Sequence, residues 1–161
     1  MIPCGAVPKN EDPLGRIIHN YSSPSADKGS VNSALLNTSV QYISFVERTK
    51  QLSMVNWFVK VDLKNGYRQL GVHPSEWFTQ VYSLGKNEFY IDLNMPFGKS
   101  NSSKIFCRWT TAWCKAFSKH FYEKFKILPI LESYVDDFFG GPKKSASSLM
   151  ADKMKAQVMF D

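Results

Sequence analysis

The sequence predicts an α+β fold, an antiparallel sheet backed by helices, and three features carry that expectation. Apolar segments of strand length come in pairs joined by short turns, at 79–84 with 88–93 and at 127–131 with 138–141. Phe106, Trp109, Trp113, Phe117 and Phe121 recur at helical spacing along one segment. Helical and strand-like stretches alternate along the chain, and the strands are mostly hairpin-connected.

With 161 residues, 43% hydrophobic and 14% aromatic, the chain suits one packed domain rather than a disordered tail. Lys and Arg number 20 against 14 acids, for a net charge of +6. That excess favours a polyanionic partner, nucleic acid first, although it is small enough to be incidental. Cys4, Cys107 and Cys114 leave one thiol over in any disulfide scheme and lack zinc-ligand spacing, which fits reduced, buried thiols. There is no secretory signal and no apolar run of membrane-spanning length. The expectation is a soluble intracellular protein, cytoplasmic or nuclear, with no membrane partner; the oligomeric state is not legible.

The elements follow in order. Up to about Asn37 the chain is rich in Pro, Ser, Gly and Asn. There Arg16–Tyr21 reads as a strand after a turn-former at 9–15, which predicts a hairpin. Thr38 with Gln41 has capping-box spacing, so a helix is expected from there to about Met54, with Val40, Ile43, Val46 and Leu52 facing inward. Trp57–Asp62 reads as a buried strand ending in an acid. The next strand pair turns at Gly85-Lys86-Asn87, and Asn94–Gly98 breaks the chain. A long helix is expected from about Ser102 to Lys124, then a hairpin, then a last helix from about Ser145 to Phe160. The ending Met159-Phe160-Asp161 has no capping signal and reads as cut short.

Chemistry concentrates at Tyr134-Val135-Asp136-Asp137, where two adjacent carboxylates lie at a hairpin tip between apolar flanks. Adjacent anions repel and lose hydration, and a bound divalent cation relieves both costs. A solvated turn is the plain alternative. Asp62 closes another strand, and an acid after Trp-Phe-Val-Lys-Val is costly to place unless paired or metal-bound. Its plain alternative is a cap on the following turn. If the two strands are neighbours, three carboxylates cluster at a sheet edge and suit a pair of Mg²⁺ ions.

Three runs, in order, resemble the successive palm motifs of reverse transcriptases: Lys60-Val61-Asp62-Leu63-Lys64-Asn65-Gly66-Tyr67-Arg68-Gln69-Leu70, Met95-Pro96-Phe97-Gly98, and Tyr134-Val135-Asp136-Asp137. The ordered set carries the resemblance, which covers the chain from about Val7 onward. Gly15–Pro24, Gly29-Ser30-Val31-Asn32 and Lys104-Ile105-Phe106 look most like tyrosine-recombinase (DIRS-like) retrotransposons. Long-terminal-repeat elements and pararetroviruses share most of these features. The resemblance implies a right-hand polymerase palm with partial fingers and no thumb. Residues 1–37 would be partial fingers and 38–161 palm, with fingers elements interleaved at about 68–100.

The resemblance also implies roles. Asp62, Asp136 and Asp137 would be the catalytic carboxylates and metal ligands for two Mg²⁺, with Mn²⁺ as a substitute, and a backbone carbonyl beside Asp62 would complete the shell. Lys9, Arg16, Tyr67, Phe97 and Gly98 would bind the incoming deoxynucleoside triphosphate. Lys9 and Arg16 would neutralise phosphate, and Tyr67 would exclude a 2′-hydroxyl. Tyr134, Val135, Lys104 and Arg108 would contact an RNA or DNA template and the primer strand. Plain alternatives stay open: a loop lysine for Lys9, a half-buried core tyrosine for Tyr67, and a solvated face for the stripe Lys104, Arg108, Lys115 and Lys119. Lys143 and Lys144 read the same way. His19, His73 and His120 receive no role. Lys99, Ser100 and Ser103 depart from the family pattern, which has an apolar residue, a basic residue and a proline there. The activity implied is RNA-directed DNA synthesis. The alternatives are a catalytically inactive nucleic-acid-binding remnant and an RNA-templated RNA polymerase.

Overall fold

The structure, a computed structural model, describes residues 1–9, 12–24, 28–35, 39–55 and 57–143, and of residues 9 and 12–16 the backbone alone. Thr38, Lys144 and the helix expected at 145–160 lie outside the described residues. Strands β1 (Cys4–Lys9) and β2 (Asp12–His19) come first, then helices α1 (Val31–Ala34) and α2 (Phe45–Leu52) and strand β3 (Val59–Asp62). Strands β4 (Val81–Gly85) and β5 (Glu88–Ile91), helix α3 (Ser102–Phe125) and strands β6 (Pro129–Tyr134) and β7 (Asp137–Pro142) complete the order. The chain forms two compact units: Met1–Val40 with Asn65–Phe106, and Gln41–Lys64 with Cys107–Asp161. No helix among the described residues is long and apolar enough to cross a membrane. Cys4, Cys107 and Cys114 are all free thiols, but only Cys114 is buried as expected; Cys4 and Cys107 are partly exposed.

In the first unit, β1 and β2 form an antiparallel hairpin with Cys4 opposite His19. The strand starts earlier than the sequence implied and stops at His19. The cause lies beyond it: Asn20 N–H donates to Pro3 O, and Tyr21 turns into the core. β4 and β5 pair through the two-residue loop Lys86-Asn87, where Asn87 takes a φ of 63°, a conformation asparagine tolerates in tight hairpin turns. Ile2 N–H donates to Val81 O and joins the two hairpins. Tyr21, Tyr67, Met95 and Phe106 are buried here, as is Asp92, which pairs with the partly exposed Arg68.

In the second unit the sheet order is β3-β7-β6, antiparallel throughout, with β7 central. Side chains alternate along β7: Phe138 is buried and its ring meets Trp113 of α3 edge-on, while Phe139 points to the opposite face, under Arg48 of α2. Phe121 and Cys114 of α3 are buried, whereas Trp113 of the expected core stripe stays 39% exposed.

Two expectations are corrected in this unit. The run ending in Asp62 is not a buried strand. Among the described residues β3 is an edge with β7 as its one neighbour, and α3 contacts Phe138 on the central strand; Phe58 and Val61 are about half exposed. Asp62 is therefore exposed, and no burial cost forces it to find a partner. Helix α2 begins at Phe45, not near Thr38, because Ser44 caps it by accepting the Glu47 N–H. Ser44 and Glu47 have the same capping spacing as Thr38 and Gln41, but lie closer to the helix body. Val40 and Ile43 precede the helix, and Val46 faces solvent instead of a core.

Candidate active site

β6 and β7 are joined by two residues, Val135 and Asp136, with Tyr134 paired to Asp137. Val135 has a φ of 56° and Asp136 does not share it, the pattern of a type II′ hairpin turn whose first position normally takes glycine. A β-branched residue there is strained, so the flanking ladder has to impose the turn. Leu63 N–H donates to Asp136 O at 2.9 Å, which binds the turn to the segment just past Asp62. In the ladder Asp62 stands directly opposite Asp137. The three acids thus come from two adjacent segments, and Lys60, Asp62, Tyr134, Asp137 and Phe139 share one face of the sheet.

Like charges directly opposite in a ladder destabilise it. Lys60 answers that repulsion: its ammonium lies 2.9 Å from Asp137 Oδ1. The hydrogen bond to Asp137 and the charge of Asp137 raise the Lys60 pKa; desolvation opposes them, and Asp62 and Asp136 add still smaller upward pulls. Among the described residues, no three His, Cys, Asp or Glu side chains converge closely enough to hold a metal ion. A cation nevertheless sits in the field of all three carboxylates, and their hard oxygens are the donor type that Mg²⁺ or Mn²⁺ takes. The chemistry of these donors suits such an ion, whereas their spacing in this structure does not gather them into one ligand set.

Arg48 was not singled out by sequence reasoning, and nothing local marks it. From α2 its guanidinium donates to Ser133 O at 3.1 Å and lies 5.8 Å from the Tyr134 ring centroid and 5.3 Å from that of Phe139. It thereby grips both strands of the hairpin just beyond the turn. An open groove of roughly 530 Å³ adjoins it, lined in part by Phe58, Lys60, Tyr134, Asp137 and Phe139. Lys60 was legible in principle, since period-two alternation puts it on the face of Asp62.

The residues expected to bind nucleotide belong to the first unit. Arg16 lies opposite Val7 and Lys9 opposite Asp12 in the β1–β2 hairpin, and their side chains lie outside the described residues. Tyr67 is a core residue. It packs edge-on against Phe97 and tilted against Phe106, and its hydroxyl donates to Ser103 Oγ at 3.2 Å. Gly98 has a φ of 87°, and a Cβ there would lie 3.0 Å from His19 O, so the fold itself asks for glycine. Asn32 latches this segment, donating to Gly98 O and accepting from Ser100 N–H.

Two of the departures from the family pattern, Ser103 and Lys99, find interior partners. Ser103 accepts from Tyr67, and buried Lys99 donates to Thr79 Oγ1 at 3.0 Å with Glu76 at 3.9 Å. Burial pushes the Lys99 ammonium pKa down, and Glu76 opposes the shift. On α3, Lys104 is partly exposed, and Arg108, Lys115 and Lys119 are exposed, Lys119 facing Glu123 at 3.9 Å. Lys143 is exposed too.

No family model matches the sequence, and no curated protein matches it. Solved structures do match the fold. The foamy viral protease-reverse transcriptase in complex with double-stranded DNA is similar at a TM-score of 0.66 and 18% identity, over 89% of this chain and 22% of that one. A mutant of the prototype foamy virus protease-reverse transcriptase gives 0.63 at 18% identity, over 98% and 19%. The native enzyme gives 0.58 at 20%, over 96% and 18%. The chain spans about a fifth of the length of these proteins. The likeness establishes the fold, that of part of a reverse transcriptase, with antiparallel sheets and helices.

Proposed function

We propose that this chain carries the nucleotidyl-transfer centre of a retroelement reverse transcriptase, DIRS-like or long-terminal-repeat in type, and takes part in template-directed DNA synthesis. The observation that carries the reading is Asp62 opposite Asp137, with Asp136 bonded beside them through Leu63, in a chain of reverse transcriptase fold. Asp62, Asp136 and Asp137 would hold Mg²⁺, or Mn²⁺ in its place, which when bound supplies activation of the primer 3′-hydroxyl and neutralises the leaving pyrophosphate.

The chain's own residues do the rest. The Val135 turn and the Leu63–Asp136 bond keep two acids on one segment beside the third on another. Arg48 holds the hairpin from its flank. A known neighbour is a complex with double-stranded DNA; for this chain we assign Tyr134, Val135, Lys104 and Arg108 to the primer–template duplex. Lys9 and Arg16 are assigned to the triphosphate, Phe97 and Gly98 to the base, and Tyr67 to the sugar.

Primer extension on an RNA template with deoxynucleotides and Mg²⁺ tests the reading. Synthesis that chelation abolishes is the expected result. Duplex binding without any extension would favour the inactive remnant instead. The RNA polymerase alternative turns on Tyr67. Tyr67→Phe keeps the ring, should cost about 1 kcal/mol of stability through the lost Ser103 bond, and should keep deoxynucleotide preference. Tyr67→Ala should cost about 3 kcal/mol and admit ribonucleotides. Equal use of both sugars by the unmutated chain would overturn the gate.

A further inference from the structure

We propose that Lys60 is a tethered counter-cation that competes with the divalent metal for the acidic cluster and so sets how much metal the site needs. This rests on reading Asp62, Asp136 and Asp137 as metal ligands. The placement follows from strand geometry. Lys60 and Asp62 are two residues apart on β3 and share a face, and Asp137 lies opposite Asp62, diagonal to Lys60. The ammonium reaches Asp137 Oδ1 at 2.9 Å, taking an oxygen that a metal ion would need.

The Lys60 side chain is 58% exposed, so it is free to swing into solvent when displaced. Its ladder partner Phe139 lies under Arg48, which keeps that neighbour from following it. Attachment to β3 gives the ammonium a high effective concentration that bulk monovalent ions lack. A divalent ion carries twice the charge and displaces it, at an affinity lowered by the contact it has to break. With the metal absent, the same ammonium offsets repulsion between Asp62 and Asp137, so the sheet edge tolerates an empty centre.

Mn²⁺ titration of the whole chain, followed by the electron paramagnetic resonance of free Mn²⁺, needs no nucleic acid and no turnover. Lys60→Met and Lys60→Gln are expected to bind about fivefold more tightly than the unmutated chain at low salt, with the gap narrowing at high salt. Lys60→Arg keeps the charge and should match the unmutated chain. Asp62→Asn serves as the site control and should weaken binding. Equal or weaker binding by both neutral variants, with Asp62→Asn still impaired, would overturn the role of Lys60 and leave the metal site standing. Absence of Mn²⁺ binding in every variant would overturn both.

Discussion

Gly140→Ala is expected to destabilise the unit that carries the carboxylates by about 3 kcal/mol or more. β7 is the central strand, and at Gly140 an added Cβ would lie 1.9 Å from Ile130 O, 2.9 Å from Ile130 C and 3.0 Å from Leu131 Cα. All three are backbone atoms of β6, which cannot swing aside as a flexible side chain can. The φ of 154° at Gly140 adds strain for any residue with a Cβ. The methyl is accommodated only if β6 and β7 part, which would unmake the ladder that imposes the strained Val135 turn. Gly141 repeats the arrangement on the other side, its Cβ position lying 2.0 Å from Trp57 O. Urea melts followed by tryptophan fluorescence read the effect. Gly5→Ala in β1, with nothing within 4 Å of the new atom, is the control and should move stability by less than about 0.5 kcal/mol. Equal midpoints for the two variants would contradict the close approach of β6 to β7.

Some of this was legible from pattern alone. α3 was expected over Ser102–Lys124 and runs Ser102–Phe125, because a sustained aromatic period needs no tertiary information. Both later hairpins were readable from turn residues between apolar runs. What failed depended on neighbours. An apolar run such as Trp57–Val61 looks the same whether it is covered or lies at an edge, and only the sheet order shows that β3 has one partner among the described strands. Two capping signatures, at Thr38 and at Ser44, compete for one helix, and the choice between them is made by the structure that follows. Lys99 and Ser103 stood out only as departures from a motif. Their partners, Thr79 and Tyr67, lie too far away in sequence for local reasoning to find. The acids themselves were visible as residues, but Asp62 opposite Asp137 is a statement of register, and Arg48 over two rings is one of tertiary packing.

Asp136→Asn is expected to lower primer extension by about 10³-fold while leaving the melting midpoint of the chain within about 0.5 kcal/mol of the original. Asparagine matches aspartate in size and keeps the backbone carbonyl that accepts the Leu63 N–H, so the turn and its bond to the Asp62 segment survive. What it removes is a full negative charge and a hard oxygen donor, the two properties a divalent cation requires. Asp137→Asn should cost comparable activity and also weaken the contact with Lys60, while Asp62→Asn removes the donor across the ladder. If the three act as one centre, their effects are not additive: the pair Asp62→Asn with Asp136→Asn should be scarcely slower than either single variant. Glu76→Gln alters an acid that faces Lys99 in the other unit and should leave extension within a few-fold. Full extension by Asp136→Asn would remove that residue from the chemistry. A multiplicative double variant would instead assign Asp62 and Asp136 to separate tasks, with Asp62 no longer a ligand of the same ion.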